Sequence, residues 1–470
     1  CSLFPISTPG FAPGGRRAIC NMARILLISA NTCAEPYEVY PLGLAVLQKA
    51  LQGNGHKTRV FDSLAREGGG PGLRETLRDL DPQYLAISLR NIDNVDSYSC
   101  DENWYLEKIR EIVREVKKWS DRPVFMGGPG FSLLAAEIMD YVGADYGVIG
   151  EGERSFPWLL SRIEEGDDPP RLINSFEMFG AIPGPEIHGG EENAPLIRHY
   201  LKTSGVINIQ SKRGCNFRCA YCPYPALEPG FPRKRDVKEV VQEMALLNKR
   251  YSPEQFFFVD SVFNDPGGHH LELAEEIVRR DINVKWSAFF HPAEISVREL
   301  ELLRRAGLQC IELGTDASTD RTLKGLNKSF DMDTVFSFQE KCTKLKIPCA
   351  HFVIFGGPGE DMDTVKEGID NLNRLEKCVV FPFSGIRILK NTPLHEQSVR
   401  EGVLKPDASL LRPIFYFSPR VDREEMNREL EKGFAGRSDR IFPPSQGMDR
   451  MHVMRNFGYK GVLWDKLIRF

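Results

Sequence analysis

Three observations predict an α/β protein made of a doubly wound parallel sheet followed by an incomplete barrel. Five short apolar runs between residues 24 and 150 are separated by segments long enough for a crossover helix, and six further runs between 206 and 389 repeat the scheme. Between the two sets lies a stretch rich in Pro, Gly and acids. A chain of 470 residues is too long for one ordinary core, so two domains are expected. Apolar residues make up 41% and charged residues 27%. The apolar runs, "ILLISA" among them, are far too short to cross a bilayer.

In the first set, "RILLISA" (24–30), "TRVFD" (58–62), "YLAISLR" (84–90), "PVFMGG" (123–128) and "YGVIG" (146–150) read as strands. The helix after the first is carried by Leu44, Leu47 and Leu51 at helical spacing and stopped by Gly53 and Gly55. This predicts a Rossmann-like domain over 23–165, preceded by a Gly- and Pro-rich tail at 1–22 in which Met22 reads as a natural start. Residues 166–200 read as a surface linker. Over 201–400, "VINIQSK", "QFFFVD", "NVKWSAFF", "QCIELGT", "AHFVIFGG" and "VVFPFSGIRIL" are six strand candidates. Between the first two, Val237, Val240, Val241 and Met244 form one apolar helix stripe, as an outer-ring helix requires. Six such units make three-quarters of a (β/α) barrel. Residues 401–470 are expected to form a small C-terminal cap.

The net charge of -4 gives no pull towards nucleic acid, and the "RKR" at 233–235 is a local basic cluster. Eleven irregularly spaced cysteines are no secreted disulfide framework, which points to a reducing, cytoplasmic compartment. Three of them crowd into "KRGCNFRCAYCPYP" (212–225), on the loop after the first barrel strand, at the face where barrel active sites are built. A structural zinc site wants four ligands, and no fourth lies near in sequence; completion from afar by His351 is the weaker alternative. Three thiolates suit an iron–sulfur cluster with one iron left open.

The CxxxCxxC spacing with an aromatic before the last Cys resembles the signature of radical S-adenosylmethionine (SAM) enzymes. The resemblance implies that Cys215, Cys219 and Cys222 each bind one iron of a 4Fe-4S cluster, that SAM chelates the fourth, and that Tyr221 packs near the adenine. It also places Asp260, Ser261 and Asn264 at the methionine end of SAM, and Glu312 and Asp316 at the ribose hydroxyls and amino group. Gly356 and Gly357 would lie beside the adenine.

The first domain lacks GxGxxG, which disfavours a dinucleotide. Its order before such a barrel resembles the cobalamin-binding domain of the cobalamin-dependent branch of that family, on the strength of "FMGGPG" (125–130) and "DYGVIGEGERSF" (145–156). The resemblance implies corrin or nucleotide contacts at Gly127, Gly128, Gly150, Glu151 and Gly152. Arg90 would stand under the corrin, with Asn91 and Asp93 on its amides. There is no DxHxxG, so no histidine is offered to the lower face of cobalt.

What the resemblance implies overall is a methyltransferase that moves a methyl from SAM through cobalamin to an unactivated carbon, fed by an external reductant of flavodoxin or ferredoxin type. The alternative keeps both cofactors and catalyses ring closure or rearrangement. A methylthiotransferase would need three cluster cysteines in the first domain, which offers only Cys33 and Cys100. A cobalamin sensor or electron carrier leaves the open iron unexplained. The expected substrate is a small or lipid-like molecule, with His291, His351 and Arg387 as candidate contacts at the barrel mouth.

Overall fold

The computed structural model describes residues 22–34, 36–67, 72–100, 104–292 and 295–470. The tail at 1–21 lies outside them. In the first unit the strands are β1 (Arg24–Ser29), β2 (Lys57–Asp62), β3 (Tyr84–Ser88), β4 (Val124–Gly127), β5 (Tyr146–Ile149) and β6 (Leu172–Asn174). They pair in parallel in the order β2-β1-β3-β4-β5-β6. Strands such as β1, buried from Ile25 to Ser29, are apolar on both faces because helices cover both sides. The sixth strand and the helix Ala194–Thr203, capped by the Asn193 side chain, fall in the segment 166–200 expected to be linker. A strand of three residues between Pro- and Gly-rich turns carries no readable periodicity.

The second unit contains β7 (Val206–Ile209), β8 (Gln255–Phe258), β9 (Trp286–Phe290), β10 (Leu308–Asp316), β11 (Cys349–Phe355) and β12 (Cys378–Ser384). These six form one parallel sheet in chain order, with β7 and β12 at its two ends, the layout of a partial barrel. The helix Val237–Tyr251 starts where the Asp236 carboxylate accepts the Glu239 N–H, and it buries Val240, Val241 and Met244 against the wall. Alternation along the strands turns Asn208, Phe257, Glu312, Phe352 and Phe381 inwards, while His351 points outwards.

The last residues do more than cover the barrel. The Gly461 N–H donates to Ser204 O at 2.9 Å, and Val462, Leu463 and Trp464 are buried in a cluster with Val206, Cys310, Ala350 and Val379, near the N-terminal ends of the strands. Trp464 then reaches up inside to donate its indole N–H to Glu312 Oε1 at 3.1 Å. The two units are locked together by a buried ion pair between Asp93 and Arg387 at 2.9 Å, by Glu151 with Arg213 and Arg233, and by Trp104 Nε1 donating to Leu411 O at 2.7 Å. No helix among the described residues is long and apolar enough to cross a membrane.

Candidate active site

β7 runs directly into the cysteine loop. Its exit is held by Asp260, fully buried just after β8, which accepts the Ser211 N–H at 2.7 Å, the Ser211 hydroxyl and the Lys212 N–H at 3.3 Å. Lys212–Arg213 then pair antiparallel with Arg233–Lys234, closing the base of a loop that carries all three cysteines. Cys215, Cys219 and Cys222 are half-buried free thiols; Cys215 feels the charge of Cys219, and Cys222 feels that of both others. Burial pushes all three thiols up, Cys222 to about 12, and the neighbouring cysteines add to it at Cys215 and Cys222 as Asp316 does at Cys219. They are therefore protonated until a metal displaces the protons.

Among the described residues no group of three or more His, Cys, Asp or Glu side chains is arranged around a single ion. Cysteines that each hold a different iron need not converge on one point, so three thiols on one closed loop, without a fourth, fit a cluster with one open iron.

Several residues assigned to SAM are already engaged. Asp260 is spent on the loop, and Asn264 exchanges two 2.9 Å hydrogen bonds with the His291 backbone, splicing the loop after β8 to the end of β9. Ser261 donates to Glu228 at 3.4 Å, and Glu228 also accepts the Gly214 N–H at 2.8 Å. Asp316 receives the Tyr221 hydroxyl at 2.7 Å and is ion-paired with Lys328. Tyr221 is thus tethered by its hydroxyl beside the cysteines. Glu312 lies in the barrel lumen above Trp464, and burial raises its carboxyl to about 7 despite the indole hydrogen bond. Gly356, at φ +88, and Gly357 donate their N–H groups to Glu360 at 2.7 and 3.3 Å, and a Cβ at Gly356 would meet Phe417 at 2.9 Å.

The proposed substrate contacts need correction. His351 is fully buried in the layer between barrel and helices, bonded to Thr315 and to Gln339 at 2.9 and 3.0 Å, so it does not face the mouth. Arg387 is consumed by Asp93 and by the carbonyls of Ile388 and Leu410, which also removes Asp93 from the corrin amides. His291 stacks on Phe217 with ring centroids 4.0 Å apart, close to the cysteine loop, and burial and Lys328 lower it to about 4.

A cavity of about 350 Å³ sits over the C-terminal edge of the first sheet. Arg90, Gly127, Gly128, Gly150, Glu151 and Gly152 line it; Asn91 does not. At Gly128 any residue but glycine is strained: φ is +99, and a Cβ would stand 2.6 Å from Leu89 O. The Glu151 carboxylate is turned away to Arg213, Arg233 and the Ile182 N–H. The same cavity extends to Asn208, Gln210, Tyr224, Glu228 and Val259 of the second unit, so it opens onto the cysteine loop.

Two contributors have no sequence signal. Asn208, 3% exposed inside the barrel, keeps its Oδ1 without a hydrogen-bond partner at the cavity wall. Lys328 places its ammonium against Cys219. A lysine in a turn reads as solvated, and only the path of the chain brings it inside.

Comparison with known proteins agrees with this geometry. Residues 31–160 match the B12 binding domain and residues 209–372 match the radical SAM superfamily. The chain is a radical SAM enzyme that carries a B12-binding domain ahead of its barrel, and its cofactors are cobalamin, a 4Fe-4S cluster and SAM.

Its relatives include the tryptophan 2-C-methyltransferase of Streptomyces laurentii, 24% identical over 78% of this chain and 72% of that protein. Another is the anaerobic magnesium-protoporphyrin IX monomethyl ester cyclase of Rubrivivax gelatinosus, 34% identical over 65% of this chain and 57% of that protein. The fold matches the radical SAM methyltransferase TsrM of Kitasatospora setae, solved with cobalamin and a 4Fe-4S cluster bound. The TM-score is 0.80 at 22% identity, over 95% of this chain and 97% of that one.

Proposed function

We propose that the enzyme transfers the methyl group of SAM, by way of cobalamin, to carbon of a small molecule. One observation carries the reading: a single cavity reaches from the glycine-lined edge of the first sheet to the mouth of the barrel, next to the cysteine loop. When bound, the cluster would supply the electron that cleaves SAM and cobalamin would carry the methyl group. The protein's part is placement. Cys215, Cys219 and Cys222 would hold the irons, Gly127, Gly128 and Gly150 would admit the corrin edge, and Asp260 and Asn264 keep the surrounding loops in register.

With no DxHxxG motif, no histidine of this kind is offered to cobalamin, and Arg90 on the cavity wall would contact the bound cofactor. At the cavity wall beside Val259, the unpartnered acceptor Asn208 Oδ1 supports a substrate bearing an N–H or O–H. The electron would come from a flavodoxin- or ferredoxin-type donor in the cytoplasm.

The second reading, ring closure without methyl transfer, is favoured by the identity to the cyclase. The deciding experiment uses anaerobically reconstituted protein, reductant and SAM labelled in its methyl group. Label appearing in the cobalamin fraction supports methyl transfer. Formation of 5′-deoxyadenosine with the label left on the methionine supports ring closure.

A further inference from the structure

Lys328 is required neither by the cysteine motif nor by the reaction proposed above, yet its ammonium meets the sulfur of a cluster cysteine. Nζ lies 3.4 Å from Cys219 Sγ and is ion-paired with Asp316, with side-chain exposures of only 5% and 10%. Asp316 supplies the counter-charge to the buried ammonium. The contact is fixed from both sides of the cysteine. Asn327 Nδ2 donates to Arg218 O at 2.6 Å, and the Ala220 N–H donates to Leu326 O at 2.9 Å, so the turn bearing Lys328 is laced to the residues flanking Cys219. Phe330, whose ring centroid is 5.4 Å from Nζ, adds a π face.

We infer that Lys328 is a positioning residue that raises the potential at which the cluster accepts its electron. This rests on the reading of Cys219 as an iron ligand. When an external low-potential donor passes one electron to the oxidised cluster, the added negative charge spreads onto the sulfurs. A nearby cation and an N–H donated to one sulfur stabilise the reduced form more than the oxidised form, most strongly where water is excluded. Asp316 offsets part of the charge but leaves the N–H directed at the sulfur.

The test is a redox titration followed by the electron paramagnetic resonance of the reduced cluster, on full-length, anaerobically reconstituted protein whose iron and sulfide contents are measured first. Lys328→Met should lower the ratio of reduced to oxidised cluster at a fixed potential by roughly tenfold, a shift of about 59 mV for one electron. Lys328→Gln gives the same comparison if the Met variant does not retain its iron. Lys328→Met leaves the Asp316 charge unpaired, so the Lys328→Met/Asp316→Asn double variant isolates the sulfur contact and should still titrate below the unaltered protein. A double variant with an unaltered midpoint, or an upward shift in Lys328→Met, overturns the inference. Failure of the unaltered protein to assemble any cluster instead removes the reading of Cys219, and this inference with it.

Discussion

Glu151 and Arg213, 62 residues apart in sequence, meet at 3.0 Å with side chains 6% and 9% exposed. Arg233 reaches the same carboxylate oxygen at 2.7 Å. Because Arg213 and Arg233 face each other across the ladder that closes the cysteine loop, one carboxylate of the first unit anchors the base of that loop in the second.

Neutralising that carboxylate therefore has a large expected effect. Glu151→Gln leaves two buried guanidiniums facing an amide, and losing one partner of a buried pair costs about 3–5 kcal/mol. Arg213 keeps Glu153 at 2.7 Å, which places the loss near the lower end, about 3 kcal/mol. Urea unfolding of the cofactor-free protein measures it, and a change under 1 kcal/mol would show that the pair is solvated.

Adjacent glycines at the end of β4 should respond differently to the same substitution. Gly128→Ala forces a Cβ to 2.6 Å from Leu89 O at positive φ and should cost about 1–3 kcal/mol. At Gly127 a Cβ meets only Val148 O at 3.7 Å, so Gly127→Ala should fold normally. Since Gly127 lines the cavity, that variant should nevertheless bind cobalamin more weakly. Unfolding curves alongside a spectrophotometric cobalamin titration separate the two, and equal behaviour at both positions would contradict the geometry.

The contrast between Cys219 and Asp260 shows what was legible in the sequence. Three cysteines at CxxxCxxC have few structural uses, so spacing alone marked them. An acid at a strand end serves equally as a ligand contact or as a clamp on backbone N–H groups, and for Asp260 and Asn264 the backbone took the side chain. The strands of both sheets other than β6 were legible because doubly covered parallel strands are continuously apolar. His351 was misplaced because period-two alternation says that neighbours face opposite sides but not which side is the lumen. Arg387 and Asp93 are 294 residues apart, and no local pattern announces such a pair.

Glu312 and Trp464 should report pH inside the barrel. Burial lifts the carboxyl from 4.5 to about 7, so between those values the folded chain keeps a proton that the unfolded chain has released. The stability this group lends is complete below about pH 4.5 and is lost as pH rises through about 7. Its slope is about 1.4 kcal/mol per pH unit. Glu312→Gln should remove that decline. The indole donates to this carboxyl, so the fluorescence difference between the unaltered protein and Trp464→Phe should titrate near pH 7 and be flat in Glu312→Gln. A flat difference in the unaltered background would refute the contact.

The buried histidines impose the opposite slope. His351 is lowered from 6.5 to about 3 by burial, and the nearby Arg440 charge adds to the effect. As pH falls below about 6.5 the unfolded chain takes up a proton that the folded chain refuses. The stability due to this residue is therefore whole above that value and declines by about 1.4 kcal/mol for each unit of acidification until the folded-state value is reached. His269, His270 and His291, each lowered to about 4, act in the same direction. His351→Gln gives up hydrogen bonds to Thr315 and Gln339, so at pH 8 it should be less stable by about 1–3 kcal/mol. It also lacks the titrating group, and its urea midpoint should approach that of the unaltered protein as the pH is lowered from 6.5 to 5. Parallel curves over that range would mean that His351 accepts its proton in the folded state, against the burial and the Arg440 charge that oppose it.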